Sequence, residues 1–269
     1  MTQQQLAVDG IKVFIEGEGP QTVVMIHGWP DTHRLWDAQV ALLRGSHRCV
    51  RFTLPGFDVA RPPRPQSLAQ MVALFRNIVD RVSPDQPVTL LLHDWGAIFG
   101  YQFAAQHRDR VARIIGVDVG DTNSGAYLKS LGFKAKWMIF AYQVWLAIAW
   151  LMAWKLGGSF AGLANRMTRR MASAIRCKTD PAQIGWQMNY PYHMQWTGGF
   201  RDALQFVPHC PMLYIYGKRK PFMFQSPQWL EKIAGLPGCA VHDFATGHWV
   251  MVHKPDAFNR CIAEWLAQR

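Results

Sequence analysis

Short runs of consecutive apolar residues recur along this chain, too brief for helices and without the polar alternation of a sheet that faces water. TVVMIHG (22–28), VTLLLHDW (88–95), ARIIGVDVG (112–120) and MLYIYGK (212–218) are of this kind. Strands built from them are buried on both faces, which requires a sheet covered on both sides. IKVFIEG (11–17), CVRFTLP (49–55) and AVHDFATG (240–247) complete the set. Helical patterns near 33–44, 67–83, 95–107, 226–235 and 255–267 separate them, the last with Phe258, Ile262, Trp265 and Leu266 on one side. This alternation predicts an α/β fold: a mostly parallel central sheet flanked by helices. A chain of 269 residues suits one such unit, with a core large enough to need neither disulfide nor metal.

The alternation lapses between 122 and 200, where no strand pattern is evident. That stretch is expected to form an inserted helical cap, with 1–121 and 201–269 making the core. A cap at the C-terminal edge of a parallel sheet covers the place where such folds bind ligands. Residues 137–154, WMIFAYQVWLAIAWLMAW, are apolar or weakly polar apart from Gln143. Their length sits at the lower limit for crossing a bilayer. A crossing here would put the core strands of 88–120 and 212–247 on opposite sides of the membrane, so a helix roofing an apolar pocket is expected. Its alternatives are a peripheral membrane contact or a homodimer through the same surface.

Composition narrows the rest. The formal charge is +11, but Lys and Arg are spread along the chain without a nucleic-acid motif, so a nucleic acid is not an expected partner. A weak attraction to anionic membrane surfaces is the better use of that charge. The five cysteines show no CxxC and no histidine pairing, which argues against a zinc site or disulfide framework and favours reduced thiols. The segment MTQQQLAVDGIKVF has no basic start followed by an apolar run, so a cytoplasmic protein is expected, with membrane association as the variant reading.

The strand VTLLLH runs into Asp94-Trp95-Gly96-Ala97 and then the helical IFGYQFAAQH. Strand, sharp turn, helix is the setting of a nucleophile elbow, which lifts its central residue above the sheet edge. Serine is usual there; Asp94 stands in its place. A carboxylate attacks electrophilic carbon to give an alkyl ester and serves poorly for peptides or esters, so the chemistry becomes alkyl substitution. The competing reading is an Asp that caps the following helix.

HGWP (27–30), HDWGA (93–97) and GHWVMVHKP (247–255), in this order and across nearly the whole chain, resemble the aspartate-nucleophile branch of the α/β-hydrolases. That branch contains epoxide hydrolases and haloalkane dehalogenases. The resemblance implies an α/β-hydrolase fold, no cofactor or metal, and His248 as the base that activates water to hydrolyse the ester. It implies backbone N–H donors at Trp29 and Trp95 for the oxyanion. It also implies a carboxylate to orient His248, ordinarily in G-x-x-D after MLYIYG; here Gly217-Lys218-Arg219-Lys220 puts Lys220 in that place. Either the acid has moved or activity is impaired. The spacing seen in some haloalkane dehalogenases falls on Asp118, with Asp121 the alternative on the opposite face of an extended strand; Asp243 is less favoured.

The leaving group separates the two subfamilies. An opening epoxide needs acidic donors, and the cap segments around Tyr142 and Met188-Asn189-Tyr190-Pro191-Tyr192 resemble those holding the two lid tyrosines of epoxide hydrolases. Tyr142 and Tyr192 are the expected pair, with Tyr190 the alternative to the second. Leu92 before the nucleophile, the displaced acid, and indole donors at Trp29 and Trp95 point instead to halide release. The resemblance thus implies hydrolysis of a small lipophilic epoxide by water. Haloalkane dehalogenation is the alternative, and a catalytically impaired apolar-ligand-binding homologue the third reading.

Overall fold

The computed structural model describes residues 3–268. Eight strands form one sheet: β1 (Gln4–Val8), β2 (Ile11–Glu16), β3 (Gln21–Ile26), β4 (His47–Phe52), β5 (Val88–His93), β6 (Val111–Val117), β7 (Met212–Gly217) and β8 (Ala240–Phe244). Their order across the sheet is β1-β2-β4-β3-β5-β6-β7-β8, and β2 alone runs against the rest. Every side chain of β5 is buried, as its uninterrupted apolar sequence requires. β1 was not expected from its polar sequence; it is an exposed edge strand paired to β2 across Asp9-Gly10.

The helices are α1 (Asp37–Leu43), α2 (Leu68–Val82), α3 (Trp95–Gln106), α4 (Gly125–Ser130), α5 (Phe133–Leu156), α6 (Gly158–Ala174), α7 (Tyr190–Trp196), α8 (Pro227–Ala234), α9 (Val250–His253) and α10 (Pro255–Ala267). Alternate residues of each central strand enter separate cores, as strand geometry dictates. Val24, Ile26, Leu90 and Leu92 meet Met71, Phe75 and Phe99 of α2 and α3 on one face. Val23, Met25 and Leu91 meet Val40 of α1 and Phe258 and Ile262 of α10 on the other. A Ser67–Gln70 capping box starts α2 by satisfying amides that would otherwise lack partners.

Between β6 and β7 the chain forms α4 to α7 and no strand among the described residues. α5 packs along α6 and α7, and its Leu146, Ala147 and Trp150 join Tyr190, Tyr192 and the α2/α3 core. This helical insert therefore lies against the sheet's C-terminal edge, above the ends of β5 and β6. α5 is the one described helix long and apolar enough to cross a membrane, yet its Leu146, Ala149, Trp150 and Ala153 are buried against the protein.

Candidate active site

Asp94 joins β5 to α3 with φ 54° and ψ −124°, a conformation that turns its side chain up from the sheet edge. It makes no capping bond to α3, so helix capping does not account for it. Instead the Trp29 N–H donates to Asp94 Oδ1 at 2.6 Å. That approach depends on Gly28, where a Cβ would lie 2.3 Å from Asp94 Oδ1 and 2.5 Å from the Trp95 nitrogen. Burial alone would push the Asp94 carboxyl up, but His248, by hydrogen bond and by charge, holds it below the usual carboxylate range.

His248 follows β8 and reaches Asp94 Oδ2 with Nε2 at 3.4 Å. Its Nδ1 bonds Asp118 Oδ2. Asp118 is the residue after β6, fully buried, with φ 66°, a left-handed conformation that Asp tolerates better than most residues. Because the strand has ended, the parity argument does not govern where Asp118 or Asp121 points. Asp118 Oδ1 accepts from the Gly217 N–H at 2.8 Å and from Lys220 Nζ at 2.6 Å. Lys220 thus occupies the ground of the missing acid without replacing it: it pairs with the carboxylate that faces His248. Gly217 lets the loop carrying His248 close over β7, since a Cβ there would stand 2.0 Å from the Gly247 carbonyl.

The charges are mutually adjusted. Burial would depress His248, but Asp118 and Asp94 outweigh it and raise its pKa to about 9. Burial would likewise raise Asp118, and Lys220 with His248 hold it below its usual range. Lys220 itself is lowered by burial, against the pull of Asp118. His93 lies 4.4 Å from the His248 ring, where burial and His248 push it down to about 3, so it adds no charge at neutral pH.

Asp121 is elsewhere. It accepts from Ser226 N–H and from the hydroxyls of Ser226 and Ser124, tying the insert's first turn to α8. Asp243 pairs with Lys218 at 2.6 Å. Tyr190 is also removed from the site: it is buried against Phe57 and its hydroxyl has no partner. The Trp29 indole donates to Asn189 at 2.8 Å, and Asn189 is held in turn by Thr168, so that N–H is not available to a halide.

A cavity of about 360 Å³ opens above Asp94, lined by Trp95, Tyr142 and Tyr192 among largely apolar neighbours. The rings of Tyr142 and Tyr192 meet edge to face at 5.9 Å. Burial, the Asp94 charge and Tyr142 push the Tyr192 hydroxyl well above its ordinary range, and burial does the same to Tyr142, so both stay protonated. A larger cleft of about 550 Å³ beside β2 and Pro55–Arg64 shares no lining residue with this cavity. Sequence reasoning missed Lys220 as a partner of the acid, Asn189 as the anchor of Trp29, and Asp31. The last is buried, accepts from the Trp249 indole at 2.9 Å beside His248, and is raised to about 6 by burial. The described residues contain no group of His, Cys, Asp and Glu arranged to hold a metal ion.

Asp94 at the strand-to-helix turn, the Trp29 N–H on one of its oxygens and His248 after the last strand meet at one end of this sheet, and the chain matches the α/β hydrolase fold family over residues 21–255. It belongs to that family. It is 28% identical over 281 residues to epoxide hydrolase 2 of Caenorhabditis elegans, spanning 95% of this chain and 77% of that protein. It is 35% identical over 117 residues to the probable oxidoreductase EphD of Mycobacterium tuberculosis, a match that spans 40% of this chain but only 20% of that protein's length. Among solved structures, an inhibitor-bound epoxide hydrolase of Bacillus megaterium shares the fold at a TM-score of 0.69 and 20% identity, covering 98% of this chain and 100% of that one.

Proposed function

We propose that this chain is an epoxide hydrolase that converts a lipophilic epoxide to a vicinal diol through an ester on Asp94. The observation that carries this reading is the pair Tyr142 and Tyr192, both protonated and both lining the apolar cavity that holds Asp94. Their hydroxyls hold the epoxide oxygen and donate a proton as the ring opens. Asp94 attacks from the opposite side through Oδ2, because Oδ1 is held by the Trp29 N–H.

Ester formation removes the negative charge of Asp94, one of the groups that raise His248, so the imidazole gives up its proton more readily at this stage. Neutral His248, oriented by Asp118, takes a proton from water, and the hydroxide attacks Asp94 Cγ. Oδ1 then carries the developing charge toward the amides of Trp29 and Trp95. Collapse expels the glycol oxygen, which takes the proton from His248 and leaves as the diol. The carboxylic acid left on Asp94 passes its proton to the tyrosinate formed on ring opening, restoring the carboxylate and both tyrosine hydroxyls. The helical insert acts as the cap that keeps the cavity apolar, and the engaged Trp29 indole favours an epoxide over a halide.

Incubation with styrene oxide and bromoalkane panels tests this reading by measuring diol and bromide. Diol from the epoxide is expected. Bromide release without diol overturns the assignment and selects dehalogenation. Absence of both products, with no covalent adduct, selects a binding protein.

A further inference from the structure

The helical insert presents an apolar surface that none of the described residues covers. Phe133, Trp137, Phe140, Ile148 and Leu151 of α5 are 87%, 60%, 41%, 52% and 40% exposed. Their spacing of four, three, eight and three residues keeps them on one side of a helix, opposite the buried Leu146, Ala149, Trp150 and Ala153. From Phe133 to Leu151 the stripe is roughly 27 Å long at the α-helical rise. Phe160 and Leu163 at the start of α6 are 45% and 40% exposed and extend the apolar surface. A contiguous patch of this kind marks an interaction surface.

Charge identifies what the surface meets. Between 122 and 179 there is no Asp or Glu, while Lys129, Lys134, Lys136, Lys155, Arg166, Arg169, Arg170, Arg176 and Lys178 are all present and exposed. Among the described residues none of these nine cations is in a salt bridge. The other 211 residues carry 20 Lys and Arg against 18 Asp and Glu, so the insert holds +9 of the formal +11. A second copy docked face to face would set these cations against their equals. Indoles and phenyl rings bordered by unpaired lysine and arginine suit the headgroup boundary of an anionic bilayer. The cavity above Asp94 opens on this side, where Lys136, Phe140 and the half-exposed Trp196 line it.

We propose that the α5–α6 face of the insert docks flat on an anionic membrane surface, with the mouth of the Asp94 cavity turned to the lipid. Substrate partitioned into the bilayer then enters between α5 and α7 without passing through water. The docking rests on surface residues alone and holds whatever chemistry Asp94 performs.

Flotation of the full chain with vesicles of phosphatidylcholine, alone or with about a third phosphatidylglycerol, tests this. Binding is expected only to the anionic vesicles, with release in about 0.5 M NaCl. Neutralising Lys134, Lys155 and Arg170 to Gln is expected to lower the partition coefficient about a hundredfold. Replacing Phe133, Trp137 and Leu151 with Ser is expected to lower it at least a hundredfold. None of these six residues lines the cavity, so turnover of a water-soluble substrate stays unchanged. Failure to bind either vesicle overturns the proposal, as does equal, salt-insensitive binding to both. A concentration-dependent dimer abolished by the Ser variant, without vesicle binding, assigns the face to a second copy and overturns it too.

Discussion

Replacing Lys220 with Met keeps most of its side-chain volume and removes its charge. Lys220 Nζ lies 2.6 Å from Asp118 Oδ1, and His248 Nδ1 bonds the other oxygen of the same carboxylate. Two cations therefore share one buried anion at a separation of roughly 7 Å or less, where a unit charge at an effective dielectric of about 20 is worth about 2 kcal/mol. On an imidazole that corresponds to about 1.5 pH units. Without the lysine, Asp118 acts on His248 alone, and an imidazole already raised to about 9 in the resting enzyme binds its proton more tightly. In the proposed mechanism His248 is neutral when it accepts a proton from water, so the acid limb of ester hydrolysis is expected to move up by about 1.5 pH units. At a pH on that limb the step slows about thirtyfold. Rapid-quench measurement of intermediate decay across pH reads this directly, with Lys220→Arg retaining the charge and the original limb. The buried pair is also broken, so the Met variant is expected to lose about 3 kcal/mol of stability. A folded Lys220→Met enzyme whose acid limb has not moved refutes the reasoning.

Other consequences follow from the same geometry. Gly28→Ala forces its Cβ into Asp94 Oδ1 and the Trp95 amide and disturbs the oxyanion cradle, so kcat should fall at least about a hundredfold with the fold retained by circular dichroism. Tyr142→Phe and Tyr192→Phe each remove one donor, and kcat/KM for an epoxide should drop about tenfold to a hundredfold singly and more in the double variant. His248→Gln should leave alkylation intact and let the ester accumulate, visible by mass spectrometry of the Asp94 peptide. Thermal unfolding tests the buried neutral histidines. His27 and His93, both pushed down to about 3 chiefly by burial, stay unprotonated when folded but take up protons near 6.5 once unfolded. Stability is therefore present above about 6.5 and falls with pH toward 3, by about 2.5 kcal/mol per unit near pH 5. His248 has the opposite sign, since its folded pKa of about 9 adds stability below 6.5 that is lost as pH rises through 9.

The core strands were legible because burial on both faces leaves an uninterrupted apolar run, and each expected run lies within a residue or two of an observed strand at its start. β1 escaped because Gln4–Val8 is mostly exposed and owes its place to pairing with β2. The Asp9-Gly10 turn, with φ of 49° and 75°, was the signal that could have revealed that hairpin. In the site, Asp94 and His248 stand in local motifs that fix strand, turn and helix together. The Lys220–Asp118 pair joins residues 102 apart, and the Trp29–Asn189 bond joins residues 160 apart, so no local pattern encodes either. Helix geometry separates Tyr190 from Tyr192. They are two residues apart at the start of α7, which points them about 200° apart, one into the core and one into the cavity.

In the proposed mechanism Asp94, and not water, makes the first bond to substrate. A single turnover in ¹⁸O-labelled water, with enzyme in excess over epoxide, tests it directly. Attack by Asp94 gives an unlabelled diol in that first turnover and leaves the label in the peptide carrying Asp94. Label in the first-formed diol, with Asp94 unlabelled, contradicts it.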